Sequence, residues 1–236
     1  CMDDYPGELS ANLLLDRIFG ARVILHKPDG TPLADVVKDT IKAYESRGER
    51  CYFIPMGGSN EIGALGYYEC ARELKNDFKS GHVIVPLGSM GTYMGLFCGL
   101  HGSGLKLTGI QIMPYEENIF SYARNYFQEI NDAWKLGITA AETDFDIETD
   151  YLYGGYNLPS EEVRNAIYDM ARSEAIVLDP CYTGKTYAAL LDMIKQEKIR
   201  KGETVIFIHT GGFPGVYTPA HRKAFEAELM DGITIL

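Results

Sequence analysis

The chain has 236 residues, 46% of them hydrophobic, and a formal net charge of -11 from 33 acidic against 22 basic side chains. That length and apolar content suit one large or two small globular domains with an ordinary buried core. The charge disfavours nucleic acid and anionic membrane, because no local basic patch offsets it. The cysteines, Cys1, Cys51, Cys70, Cys98 and Cys181, lie apart without C-x-x-C spacing. This argues against a disulfide framework or a metal site and for a reducing, cytoplasmic setting.

In chain order, "LSANLLLDRIFG" reads as a helix closed by Gly20, "ARVILH" as a strand, and "PLADVVKDTIKAYESRG" as an amphipathic helix ended by Gly48. A short strand, "CYFIP", precedes the helix "NEIGALGYYECARELKNDF", whose first turn Asn60 is placed to cap. From Ser80 to Leu105 there is no Asp, Glu, Lys or Arg. Pro86 and the glycines 88, 91, 95 and 99 interrupt this stretch, so it reads as a buried strand "HVIVPL", a tight loop and a buried helix rather than a membrane span. "LTGIQIM" is a further strand and "ENIFSYARNYFQEINDAW" a helix. Residues 139–160 are acidic, aromatic and turn-rich and read as a long excursion. Then follow helix "EEVRNAIYDMARSEA", strand "IVLD", helix "TYAALLDMIKQEKI", strand "TVIFIHT" and a last helix from Pro219. This alternation predicts an α/β fold, three-layer, with a mostly parallel sheet. The chain opens on Cys1 and runs directly into a helix, so it is expected to begin partway into a larger protein.

Ligands of such folds gather at loops that follow strands and open helices. "PLGSMGTYMG" is one such loop, and its pattern alone leaves two readings open. Its backbone N–H groups and the Ser89 and Thr92 hydroxyls could surround a phosphate, or its glycines could only permit a tight turn. "LDPCYTGKT" fails the P-loop spacing, since Asp179 stands where a glycine is required. Lys185 is therefore read as an exposed or helix-start residue rather than a catalytic amine. His209, in "FIHTGGFPG", is read as a core histidine, and Tyr156 and Tyr182 would individually be ordinary aromatic core residues.

Five segments in order, "PMGGSNEIGALGYYECARE", "GSMGTYMGL", "YGGYNLPSEE", "LDPCYTGKTYAALLDMI" and "FIHTGG", resemble D-cysteine desulfhydrase and 1-aminocyclopropane-1-carboxylate (ACC) deaminase. These are pyridoxal-phosphate enzymes of fold type II, the tryptophan-synthase-β fold. The resemblance implies two domains, the C-terminal part of a small one at residues 1–59 and a large cofactor-binding one at 60–236. It places the cofactor phosphate in Gly88, Ser89, Met90, Gly91 and Thr92, with Met90 standing where the family usually has Gly or Ala. It puts Tyr182 against the cofactor ring, Tyr156 on the substrate side, and Gly211 and Gly212 near the ring. The "GGSN" of Gly57 to Asn60 falls at the domain junction.

In ACC deaminase a glutamate that contacts the pyridine nitrogen follows the tyrosine; here the position is Thr183. A neutral group there favours elimination of a good leaving group over opening of a cyclopropane ring. The resemblance thus implies a lyase that converts D-cysteine, or a related β-substituted D-amino acid, to pyruvate, sulfide and ammonia. ACC deaminase and a non-catalytic pyridoxal-phosphate-binding fragment are the alternatives. It also implies a small-molecule substrate and a homodimer. The family's cofactor-bearing lysine lies in an upstream "GGNK"-like motif that these residues do not contain, so none of the lysines here inherits its role.

Overall fold

The computed structural model describes residues 7–26 and 29–234. The chain divides into two compact units, Cys1–Ile54 and Pro55–Leu236.

In the first unit, α1 (Ala11–Ile18) and α2 (Leu33–Glu45) end ahead of glycines in the left-handed region, Gly20 at φ +81° and Gly48 at φ +83°. Only glycine reaches that region without a steric cost from Cβ. Neither helix has a fully buried residue. The expected strands "ARVILH" and "CYFIP" do not form among the described residues. A strand exists only through a neighbour's hydrogen bonds, and neither segment has one. Ile24, Tyr52, Phe53 and Ile54 accordingly stay exposed.

The second unit holds a four-stranded sheet in the order β3-β2-β1-β4. It is built from β1 (Gly81–Leu87), β2 (Leu105–Gln111), β3 (Ile147–Glu148) and β4 (Val205–Phe207). Every pairing is parallel, with Gly81 opposite Leu105, His82 opposite Val205 and Gly109 opposite Ile147. β1 is apolar on both faces because both are covered. Val83, Val85 and Leu87 enter a core shared with α3 (Glu61–Asp77), α4 (Gly91–Leu100) and α5 (Ile119–Trp134). Ile84 faces the opposite way, onto Ala189, Leu190 and Met193 of α7 (Thr183–Lys195). The expected three layers follow from this alternation. Helix α6 (Glu161–Glu174) packs on α7, and α8 (Pro219–Leu229) brings Phe225 against Val163 and Ile167 of α6.

Asn60 caps α3 as expected, its Oδ1 accepting from Gly63 N–H at 2.8 Å. Two other expectations need correction. "IVLD" forms no strand; it pairs with no strand of the sheet, and only Leu178 and Asp179 turn inward. The strand in "TVIFIHT" is only Val205–Phe207, the part that reaches β1. The excursion at 139–160 is partly ordered into the sheet: β3 pairs with β2, and Phe145 and Tyr151 are buried.

The chain runs from β1 through β2 to β3 on one side, then returns to the other side of β1 as β4. Strand order therefore reverses between β1 and β4, and in parallel sheets a crevice opens beyond the carboxyl ends of such strands.

Candidate active site

A cavity of about 310 Å³ lies at that reversal, lined by Gly88, Ser89, Met90 and Thr92 after β1 and by Thr210, Gly211 and Gly212 after β4. Tyr182, Tyr67, Pro86 and Gly57 complete it. The first bond of α4 runs from Met94 N–H to Met90 O (2.9 Å), so the N–H groups of Gly91, Thr92 and Tyr93 precede the helical ladder. Such free donors and the positive end of the helix dipole favour an anion. The Tyr115 hydroxyl donates to the Gly88 carbonyl, tying down an acceptor that would otherwise be free. Ser59 donates to the Ser89 hydroxyl at 2.6 Å. A Cβ on Gly57 would lie 2.2 Å from Ser89 Oγ, and one on Gly91 would lie 2.9 Å from Ser59 Oγ. The two glycines let the "GGSN" segment press against the loop from behind.

Met90 adopts φ +71° while its side chain is 2% exposed and packed in the main core. It combines a backbone conformation that suits glycine with a side chain that fills space. Met90→Gly relieves about 1–2 kcal/mol of left-handed strain but forfeits about 2–5 kcal/mol of buried contacts. Urea denaturation is expected to find the variant about 1–3 kcal/mol less stable. Equal or greater stability would show that the side chain is not a needed filler.

Tyr182 reaches the cavity from the turn ahead of α7, which Asp179 organises. One carboxylate oxygen of Asp179 accepts from Cys181 N–H and Tyr182 N–H, both at 2.8 Å. The other accepts from Thr183 N–H and Thr183 Oγ1–H, both at 2.7 Å. Thr183 Oγ1 also accepts from Asp179 N–H at 2.9 Å. Thr183 itself is not among the residues lining the cavity; its hydroxyl is buried and bonded to Asp179. Gly212 closes over the same carboxylate, for a Cβ there would lie 2.6 Å from Asp179 Cγ. In the sequence Asp179 stands out only as the residue that breaks the P-loop spacing. An Asp just ahead of an apolar-periodic helix is itself a capping signal.

Tyr156 does not line the cavity but its hydroxyl lies 2.5 Å from that of Tyr182, with the rings edge to face at 6.0 Å. Burial and then the Tyr182 contact push the Tyr156 phenol well up; burial also raises Tyr182, against an opposing contribution from Tyr156. Both phenols stay protonated at neutral pH, so the pair can hold or pass a proton without carrying charge.

Lys185 is not exposed. It stands in the first turn of α7, fully buried, and its ammonium donates to the carbonyls of Ile112 (3.2 Å), Leu152 (2.8 Å) and Gly155. Burial pulls its pKa down, while three carbonyl dipoles work in the other direction by favouring the charged form. His209 is exposed rather than in the core, its Nδ1 accepting from Gly211 N–H at 3.2 Å. The buried histidine is His221, which donates from Nε2 to Asn157 Oδ1 at 3.1 Å. The structure thus gathers Gly88, Ser89, Met90, Thr92, Tyr182 and Gly211 around one cavity. Gly91 stands behind them and Tyr156 joins through Tyr182.

The sequence pattern described as "Pyridoxal-phosphate dependent enzyme" matches residues 4–211. The chain belongs to this family. It is 37% identical over 218 residues to a D-cysteine desulfhydrase of Yersinia enterocolitica, covering 88% of this chain and 64% of that protein. It is 31% identical to a Thermotoga maritima protein provisionally named 1-aminocyclopropane-1-carboxylate deaminase, over 91% of this chain and 69% of that one. Among solved structures, an ACC deaminase homologue superposes with a TM-score of 0.78 at 29% identity, covering 96% of this chain and 67% of the other. An O-ureido-L-serine synthase, at 17% identity and a TM-score of 0.52, shares the fold alone, over 94% of this chain and 65% of that one. The chain therefore spans 64% of the length of the Yersinia relative.

Pyridoxal phosphate is the cofactor of this family, and the cavity fits one end of it. The loop offers free N–H donors and two hydroxyls for a dianion, at the helix end where anions are favoured. Tyr182 and Gly211 line the cavity beside it, where a ring would lie. No lysine is among the residues that line the cavity.

Proposed function

We propose that the polypeptide carrying these residues is a D-cysteine desulfhydrase-like lyase, releasing pyruvate, sulfide and ammonia from D-cysteine or a related β-substituted D-amino acid. The observation that carries this reading is electrostatic: no Asp or Glu is among the residues lining the cavity. Pyridoxal phosphate, when bound, supplies an electron sink for the charge left on the substrate carbon that loses its proton. A wall without carboxylates would leave a bound pyridine nitrogen largely unprotonated and the sink moderate. That suffices to expel a β-thiol and is poorly matched to opening a cyclopropane ring.

In this reading, Gly88 to Thr92 hold the phosphate, Ser59 keeps the Ser89 hydroxyl aimed, and Gly211 allows close approach to the ring. Tyr182 packs beside the ring, and the Tyr156–Tyr182 hydroxyl pair holds a proton next to the substrate. Thr183 acts indirectly, by fixing Asp179 and through it Tyr182. The proposal includes a homodimer working in the cytoplasm. Among the described residues no helix is long and apolar enough to cross a membrane.

A second reading, a pyridoxal-phosphate binder without turnover, is favoured by the absence of lysine from the cavity lining. One experiment separates the two. The protein is loaded with pyridoxal phosphate and assayed with D-cysteine and with ACC, then reduced with borohydride and mapped by peptide mass. Sulfide and pyruvate from D-cysteine are expected, with no stoichiometric label on Lys185. Saturable cofactor binding without sulfide would favour the second reading, and α-ketobutyrate from ACC would move the assignment to the deaminase.

A further inference from the structure

Two buried side chains that this mechanism leaves unused converge on the turn that carries Tyr156. The turn is unusual in its backbone: Tyr153 (φ +49°), Gly154 (+86°), Gly155 (+137°) and Asn157 (+56°) all have positive φ. Residues with a Cβ enter that region at a steric cost, so a turn of this shape persists only where its surroundings over-determine it.

The surroundings do so from both sides. On the N-terminal side, Lys185 donates to the carbonyls of Leu152 (2.8 Å) and Gly155, the second of these on the residue that precedes Tyr156. Its third donor holds Ile112 O at 3.2 Å, just beyond the end of β2. All three ammonium donors are therefore used, and they bind the turn to α7 and to the sheet together. On the C-terminal side, His221 of α8 donates from Nε2 to Asn157 Oδ1 at 3.1 Å. His221 is fully buried, and its Nδ1 has no partner among the described residues. An imidazole kept buried with one nitrogen unsatisfied carries a cost, and the contact it makes in return is the one to Asn157.

The geometry points to Lys185 and His221 as positioning residues that fix the Tyr156 hydroxyl against Tyr182, each bracing one flank of the strained turn. The consequence for chemistry rests on the reading that Tyr156 serves the substrate side; the bracing itself does not.

The test reads the turn directly, without cofactor or substrate. 3-Fluorotyrosine is placed at position 156 in one sample and at position 93, a buried tyrosine whose hydroxyl donates to Asp146 O, in another. Each is combined with Lys185→Met, His221→Leu or His221→Gln. In Lys185→Met and His221→Leu the fluorine line at 156 is expected to shift, or to broaden at least twofold, while the line at 93 holds. His221→Gln keeps an N–H that can reach Asn157, so its 156 line is expected to stay close to that of the parent. An unmoved 156 line in folded Lys185→Met and His221→Leu would overturn the proposal. So would equal changes at 156 and 93, or failure of both variants to fold, since each would give these residues a general structural role. Failure of the D-cysteine assay would leave a positive fluorine result standing, so the two readings fail separately.

Discussion

Asp179→Ala is expected to lower stability by about 3–5 kcal/mol and to weaken pyridoxal-phosphate binding at least tenfold. The carboxylate is 1% exposed and accepts four hydrogen bonds, from Cys181 N, Tyr182 N, Thr183 N and Thr183 Oγ1. Each bond to a charged acceptor contributes about 1.5–3 kcal/mol, and buried donors left without a partner add a desolvation cost. The sum is limited because these bonds share one acceptor group and water can enter part of the space. Asp179→Asn keeps the shape and one carbonyl acceptor but loses the charge, and is expected to cost about half as much. The effect on the cofactor follows from position, since the bond at Tyr182 N holds the residue whose ring lines the cavity. Urea denaturation gives the first quantity and a cofactor titration the second. An Asp179→Ala variant within 1 kcal/mol of the parent would mean that the turn ahead of α7 is held by packing alone.

A second large effect is expected at Gly95, with an internal control at Gly66. Both lie inside helices, α4 and α3, and an exposed helical Gly→Ala change normally gains about 0.5–1 kcal/mol from the reduced freedom of the unfolded chain. Gly66 is exposed and a Cβ there meets nothing within 4 Å, so Gly66→Ala should show that gain. At Gly95 a Cβ would lie 2.3 Å from Ala64 O and 2.9 Å from Tyr67 Cβ. The first is a backbone atom that cannot rotate away, so α3 and α4 must separate. Gly95→Ala is expected to cost about 3 kcal/mol, the upper end for overpacking. Because the N-terminus of α4 forms the proposed phosphate cradle, the same variant should also weaken phosphate binding, whereas Gly66→Ala should not. Thermal melts and phosphate titration of the pair check both; a stabilised Gly95→Ala would show that the helices give way freely.

Much of the site was legible in the residues themselves, because the signals are local. The apolar run of β1, the glycine loop after it and the cap at Asn60 each depend on a few neighbouring residues. So do the left-handed glycines that end α1 and α2. The resemblance carried by the five motifs likewise gave the family and its cofactor, which the comparisons bear out.

Other properties were decided only by what the fold brings together. Lys185 reads as an exposed or helix-start lysine; it does start α7, but carbonyls 73, 33 and 30 residues away meet its ammonium and bury it. That the Thr183 hydroxyl bonds Asp179 is set by the turn ahead of α7, which no local pattern at Thr183 announces. "ARVILH", "CYFIP" and "IVLD" carry strand-like residues but form no ladder among the described residues, while the acidic excursion supplies β3 because Gly109 and Ile110 lie alongside it. Composition and short-range pattern determine which segments can be helices, caps and anion-binding turns, since those interactions close within a few residues. Whether a strand finds a partner, whether a charge can be buried and which way a hydroxyl points depend on groups distant in sequence, and only the tertiary structure decides them.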